Sequence, residues 1–188
     1  MEDWAAWAPQ LANVQKMLQH RGCTAVRSLM HGTDPLLVCS AREPGGCLIF
    51  VYFLKENKVG VKTLRKIQQE CEAAGGQRAL LVTEDGLTPF AAKELDAPQH
   101  VGDVEVFRRR ELAFCLVEHS LVPRHELLSA AEKKLLLARL RCKASALPRL
   151  KETDAVARYY RFPLGGIVRI QRHIGTSVLE VYYRTVTA

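Results

Sequence analysis

Long hydrophobic runs are missing from this sequence of 188 residues, and none approaches the ~20 residues that a helical membrane span needs. The opening stretch "MEDWAAWAPQ" is acidic and lacks the basic and apolar regions of a signal peptide. These absences predict a soluble protein held on the reducing side of a membrane, with no membrane partner. The six cysteines, Cys23, Cys39, Cys47, Cys71, Cys115 and Cys142, are scattered without a C-x-x-C. A zinc site or a disulfide framework would show closer, more regular spacing, so no metal ligands are assigned. Cys39 and Cys47 lie inside apolar runs and read as small buried hydrophobes. No G-x-S-x-G and no Walker loop occur, and "AGG" and "LGG" are turn glycines. The six histidines are dispersed, and none stands beside a nucleophile in a recognisable signature. No catalytic residue and no cofactor are expected.

What is present describes a folded chain, with 48% hydrophobic and 25% charged residues. The net charge of +7 is unevenly placed. Residues 1–118 hold 14 Lys and Arg against 15 Asp and Glu, whereas residues 119–188 hold 13 against 5. The last third therefore carries all the excess positive charge. Such asymmetry predicts two units with different partners, the second facing something acidic.

Periodicity gives the elements. "APQLANVQKMLQHRGC" predicts a helix ended by Gly22, with Leu11, Val14, Met17 and Leu18 at helical spacing. "PLLVCS" and "CLIFVYFL" are short apolar runs bounded by Gly and Pro, and predict strands. "VKTLRKIQQECEAAGG" predicts an amphipathic helix with Leu64, Ile67 and Cys71 inward. "RALLVT" and "DVEVF" predict strands, and "TPFAAKEL" a short helix with Thr88 as N-cap and Pro89 in the first turn. "RRRELAFCL" predicts a helix that closes an α/β layer.

The character changes after Glu118, with the boundary placed just before Leu121 and the units bounded as 1–118 and 119–188. Ser129 and Glu132 have capping-box spacing ahead of a helix whose Leu135, Leu136 and Leu140 are expected to line one face. "TDAVARYY" predicts a second short helix capped by Thr153 or Asp154. "GIVRIQRHI" and "SVLEVYYRTV" predict a terminal hairpin joined by "GT".

Three stretches have residue types suited to chemistry or binding. Asp34, Glu56 and Lys58 have the composition of a metal-dependent nuclease core. An E-x-K triplet is common by chance, however, and this one lies past its strand rather than on it. "GLTPFAAK" could offer backbone N–H groups and the Thr88 hydroxyl to a phosphate, with Lys58, Lys62, Arg65 and Lys66 nearby, although a simple helix start explains it as well. Around Tyr159 and Tyr160 stand Arg149, Arg158, Arg161, Arg169 and Arg172. Such a mixture can stack bases or anchor a protein interface. Arg169 and Arg172 fall on opposite strand faces, and the tyrosines sit on a helix turn, which favours docking.

"LVPRHELLSAAEKKLLLARLRCKASALPRLKETDAVARYY" resembles the C-terminal module of the shared fifth subunit of eukaryotic nuclear RNA polymerases. The archaeal counterpart of that subunit is similar to this module alone. "KVGVKTLRKIQQECEAAGGQRALLVTEDGLTPFAAKEL" is similar to the N-terminal part of the same family. The resemblance implies an α/β N-terminal jaw domain of restriction-endonuclease-like shape without a catalytic site. It also implies a small α+β C-terminal assembly domain. By resemblance the second domain docks on the largest subunit and beside neighbouring small subunits, through Pro123, His125, Leu147, Pro148, Arg149, Asp154, Val156, Ala157, Arg158 and Tyr159. Thr88, Pro89, Phe90 and Lys93 match the loop that approaches downstream double-stranded DNA, weakly and without sequence preference. The chain is then expected to be a non-catalytic subunit in the nucleus, its excess positive charge answering acidic protein surface.

Some positions depart from the family pattern. Ala155 replaces an expected proline, Pro163-Leu164-Gly165 replaces a K-R-G turn, and "RHIGTSVLEVYY" replaces a polar segment with an apolar hairpin. Phe90 stands where a small hydroxyl residue is usual, removing one potential phosphate hydrogen bond. These departures suggest a divergent paralogue serving one polymerase, expected to be RNA polymerase I and so in the nucleolus. The alternatives are a free-standing transcription-associated binding protein with the same fold, and a metal-dependent nuclease.

Overall fold

The computed structural model describes residues 2–31, 36–95, 103–174 and 178–188. The chain divides into two compact units, residues 1–114 and 115–188. That division lies four residues before the expected one at 118. Cys115 is the first residue of the second unit, where its thiol meets the Tyr159 hydroxyl.

The first unit is built on a five-stranded sheet. After a 3-10 turn (Glu2–Trp7), helix α1 (Ala8–His20) leads to β1 (Thr24–His31), β2 (Leu36–Arg42) and β3 (Leu48–Phe53). Helix α2 (Val61–Ala73), β4 (Arg78–Thr83), α3 (Pro89–Leu95) and β5 (Asp103–Arg108) follow. Spatial order equals chain order, β1-β2-β3-β4-β5. The first three strands pair antiparallel, and β3, β4 and β5 pair parallel. Parallel neighbours need crossovers, which α2 and α3 supply. Because β3 and β4 are covered on both faces, they read as unbroken apolar runs. Phe50, Tyr52, Ala79 and Leu81 meet Leu64, Ile67 and Cys71 of α2, the three inward residues expected from periodicity. On the opposite face Phe53 meets the Trp7 ring at 5.2 Å between centroids. Cys39 is fully buried, and desolvation pushes its thiol pKa up to about 12. Cys47 is only partly buried.

Two expectations for this unit need correction. Strand β1 is an additional element at the sheet edge. Its register against β2 slips twice and Ala25 has φ +51°, so the two-residue alternation that announces a strand is broken. The helix expected over "RRRELAFCL" is instead two 3-10 turns, Arg109–Leu112 and Leu116–Glu118. Leu112 is buried in the first unit and Cys115 in the second, and the chain is extended at Cys115 between the turns. Residues three apart thus serve different cores, which a continuous helix would not allow.

The second unit is a four-stranded sheet with one helix on each face. In chain order it holds β6 (Arg124–Leu127), α4 (Ala130–Leu140), β7 (Arg149–Lys151), α5 (Ala155–Tyr160), β8 (Ile167–Ile174) and β9 (Val178–Thr187). Sheet order is β6-β8-β9-β7, antiparallel except where β7 pairs parallel with β9. Leu128 and Leu136 pack on Ile167 on one face. Ala157 of α5 packs with Leu150, Val168, Ile170 and Val186 on the other.

Strands β6 and β7 were not anticipated, being edge strands of four and three residues with too few positions to show alternation. The leucine face of α4 also differs. Leu136 is buried, whereas Leu135 is 71% exposed and Leu140 is exposed too. Leu135 lies ~100° around the helix from Leu136, so both cannot face Ile167. The capping box forms as expected, with the Ser129 N–H and hydroxyl donating to Glu132 Oε2 at 2.9 and 2.7 Å. Asp154, not Thr153, caps α5. The "GT" connection between β8 and β9 lies outside the described residues.

Candidate functional site

In the first unit the loops after β3 and β4 are joined by backbone bonds at the carboxyl ends of the parallel strands. Val59 N–H donates to Gly86 O at 3.0 Å, Thr88 N–H to Val59 O at 3.0 Å, and Asp85 N–H to Asn57 O at 2.9 Å. The buried Thr83 hydroxyl accepts from Gly86 N–H at 2.9 Å. This bracing holds Thr88 at the start of α3, where its hydroxyl accepts from Ala91 N–H at 3.3 Å. Pro89 and Lys93 are exposed, and Phe90 is 78% exposed. Of the four cations expected nearby, Arg65 is paired with Glu94 and Lys66 with Glu70. Lys58 and Lys62 are exposed.

Of the nuclease-like residues, Glu56 and Lys58 lie in the loop after β3 rather than on the strand. Glu56 accepts from the Thr63 hydroxyl at 3.1 and 3.3 Å. Asp34 lies outside the described residues. Among the described residues, no three His, Cys, Asp or Glu side chains cluster to hold a metal ion.

The second unit presents an open groove of about 600 Å³. Four of the docking candidates line it: Pro123, His125, Asp154 and Val156. His125 Nδ1 is 2.7 Å from Pro123 O, which fixes the ring against its own strand entry. Burial lowers the His125 pKa, partly offset by that bond, so the imidazole favours its neutral form. The Asp154 carboxylate accepts from the N–H groups of Val156 and Ala157 at 2.9 and 3.4 Å.

The other candidates stand outside the groove lining. Leu147 packs on the α4 side of the sheet and Ala157 on the inner face of α5, so both belong to the core. Pro148 O accepts from Thr185 N–H at 2.8 Å, and Arg149 O accepts from Arg184 Nη1 at 3.1 Å. Both fasten β7 to β9. Arg158 is half-buried in the last turn of α5. Tyr159 is 4% exposed, and burial, with its bond to Cys115, raises its phenol pKa strongly. It supports α5 from inside. Its neighbour Tyr160 stacks on Phe162 at 5.2 Å between centroids.

The groove also contains Arg172 of the basic and aromatic stretch, together with Ile170, Tyr182 and Arg184, which sequence reasoning left out. Strand parity held the signal, since Ile170 and Arg172 share one face of β8 and Tyr182 and Arg184 one face of β9. The parity contrast between Arg169 and Arg172 is present. Arg169 reaches Glu126 at 2.9 Å and Glu132 at 3.7 Å on the α4 side, while Arg172 lines the groove.

Comparison with known proteins places these elements among relatives. Residues 114–186 match the family model described as RNA polymerase Rpb5, C-terminal domain. Over 153 residues the chain is 38% identical to DNA-directed RNA polymerases I, II, and III subunit RPABC1 of Caenorhabditis briggsae. That match covers 80% of this chain and 71% of the relative. The Caenorhabditis elegans protein of the same name gives the same identity and coverage. The Dictyostelium discoideum protein is 34% identical over 150 residues, covering 79% and 76%.

Proposed function

Because this chain belongs to the RPABC1 (Rpb5) family of DNA-directed RNA polymerase subunits, we propose that it is a non-catalytic subunit of a eukaryotic nuclear RNA polymerase. The observation that carries the reading is identity of 38% across 153 residues, spanning both units rather than one. In this reading the second unit anchors the protein on the largest subunit, through the groove face and the exposed edge of α5. Its net positive charge suits an acidic protein surface.

The first unit forms part of the jaw, a restriction-endonuclease-like shape without its chemistry. Its braced loop, with exposed Pro89, Phe90 and Lys93, approaches downstream DNA. An apolar ring beside one lysine gives weak contact without base readout. The subunit resides in the nucleus.

Affinity purification of the tagged full-length chain from nuclear extract tests this. Stoichiometric recovery of the two largest subunits of a polymerase is expected. A chain eluting alone, or with partners from outside transcription, would mean that the fold serves another task. Arg158→Glu is expected to leave the isolated protein folded and to prevent its incorporation.

A second reading, service to RNA polymerase I alone, is favoured by the β9 surface. Leu179, Val181 and Tyr182 are exposed there, in the stretch where the family pattern is polar. Recovery of the chain in equal amounts from all three purified polymerases would remove it.

A further inference from the structure

The groove of the second unit has a charge pattern more specific than its overall sign. Its floor is apolar, formed by Ile170 with Leu150 and Val156. Ile170 and Tyr182 are direct cross-strand partners, Ile170 buried beside α5 and Tyr182 exposed. Arg172 lies two residues further along β8, and Arg184 two residues further along β9. These strands are antiparallel, so the two arginines lie on opposite sides of the apolar pair. Four residue steps at ~3.4 Å each separate them by about 14 Å along the strands.

The nearby carboxylates are already engaged. Asp154 is taken up by the amides of Val156 and Ala157. Glu180, cross-strand from Arg172, accepts the Tyr182 hydroxyl. Arg184 donates to the carbonyl of Arg149, and among the described residues neither Arg172 nor Arg184 is ion-paired to a carboxylate. Both side chains are exposed.

We propose that this groove seats an extended segment of a neighbouring protein subunit that carries two acidic side chains four residues apart with an apolar side chain midway. An extended chain places residues i, i+2 and i+4 on one face, at the same spacing as Arg172, the Ile170–Tyr182 pair and Arg184. Each carboxylate then gains a charge-assisted guanidinium contact, and the central side chain covers the apolar floor. A nucleic-acid backbone fits less well. It needs a continuous cationic track, whereas here two cations flank an apolar floor and Asp154 forms part of the wall. The inference rests on the polymerase-subunit reading and names the chemistry of the partner segment.

Photo-crosslinking tests it, with benzoylphenylalanine at position 182 in the tagged full-length chain recovered from nuclear extract. The expected product joins position 182 to a protein segment with two Asp or Glu residues four apart around an apolar residue. Arg172→Glu and Arg184→Glu are each expected to cut its yield at least tenfold, while Arg172→Lys and Arg184→Lys retain most of it. Circular dichroism of each variant checks that these exposed positions leave the fold intact. Crosslinking to nucleic acid, to a segment lacking acidic residues, or to nothing would overturn the inference even if polymerase subunits still co-purify. Loss of polymerase subunits from the unaltered chain removes the subunit reading instead. In that case, a crosslink to another protein's acidic segment would still uphold the groove chemistry.

Discussion

The Cys115 thiol and the Tyr159 hydroxyl lie 3.4 Å apart within the second unit, both side chains buried. The contact ties the chain at the start of this unit to the underside of α5, the helix that also carries Val156 and Arg158.

Truncation of Tyr159 should therefore cost stability through lost packing more than through the lost hydrogen bond. Tyr159→Ala is expected to destabilise the protein by roughly 3–5 kcal/mol. Tyr159→Phe, which keeps the ring, should cost about 1 kcal/mol or less. Equilibrium denaturant unfolding of the two variants separates the terms. Equal losses would show that the hydroxyl, not the ring, holds α5.

At the other end of α5, Ala155 occupies the first helical position behind the Asp154 cap. Asp154 has φ −59° and ψ +140°, a conformation that a following proline favours. The two capping bonds use the N–H groups of Val156 and Ala157, not that of Ala155. Ala155→Pro is thus expected to stabilise the protein by about 0.4–1 kcal/mol, by restricting the unfolded chain. A lowered thermal midpoint would show that the Ala155 N–H or methyl has a role in the native state.

The capping box of α4 makes stability depend on acid. Bonds from the Ser129 N–H, and then from its hydroxyl, hold the Glu132 carboxyl below the ordinary carboxylate range. A carboxylate with a depressed folded pKa contributes stability above its unfolded value, and loses it as pH falls through the folded one. Thermal melts from pH 6 downward should show Glu132→Gln losing less stability on acidification than the unaltered protein. Ser129→Ala is expected to cost about 1 kcal/mol at neutral pH. Parallel acid curves for the Glu132 variant and the unaltered chain would count against the linkage.

Gly76 closes the connection between α2 and β4, where a side chain has no room. A methyl group there would overlap the Phe50 ring and lie 2.6 Å from Cys71 Sγ. Gly76→Ala is expected to destabilise the protein by about 1–3 kcal/mol. Gly45 has open space at the same position, so Gly45→Ala serves as the control, with little change in the denaturation midpoint expected.

Legibility in the sequence followed periodicity. The strands β3 and β4 were readable as short unbroken apolar runs, and the helices α1, α2 and α4 because their apolar residues repeat at the helix period. Strand β1 hid behind its register slips, and β6 and β7 behind their shortness. The docking candidates were named by resemblance, which gives positions without their surroundings. Thus Pro123 and His125 line the groove, whereas Tyr159 turned out to be an internal support.

By itself the sequence determined the class of the two units, the shift of positive charge into the second, and the cap of α4, and narrowed that of α5 to Thr153 or Asp154. Each of these depends on residues a few positions apart, whose interactions are set by local backbone geometry. Only the tertiary structure decided which side chains meet across the sheet. Ile170 faces Tyr182 because β8 and β9 pair in one register, and a slip of a single residue would turn Arg172 and Arg184 to opposite faces. Register is fixed by the burial of Val168, Ile170 and Val186 beneath α5, a sum over distant contacts that no local pattern contains.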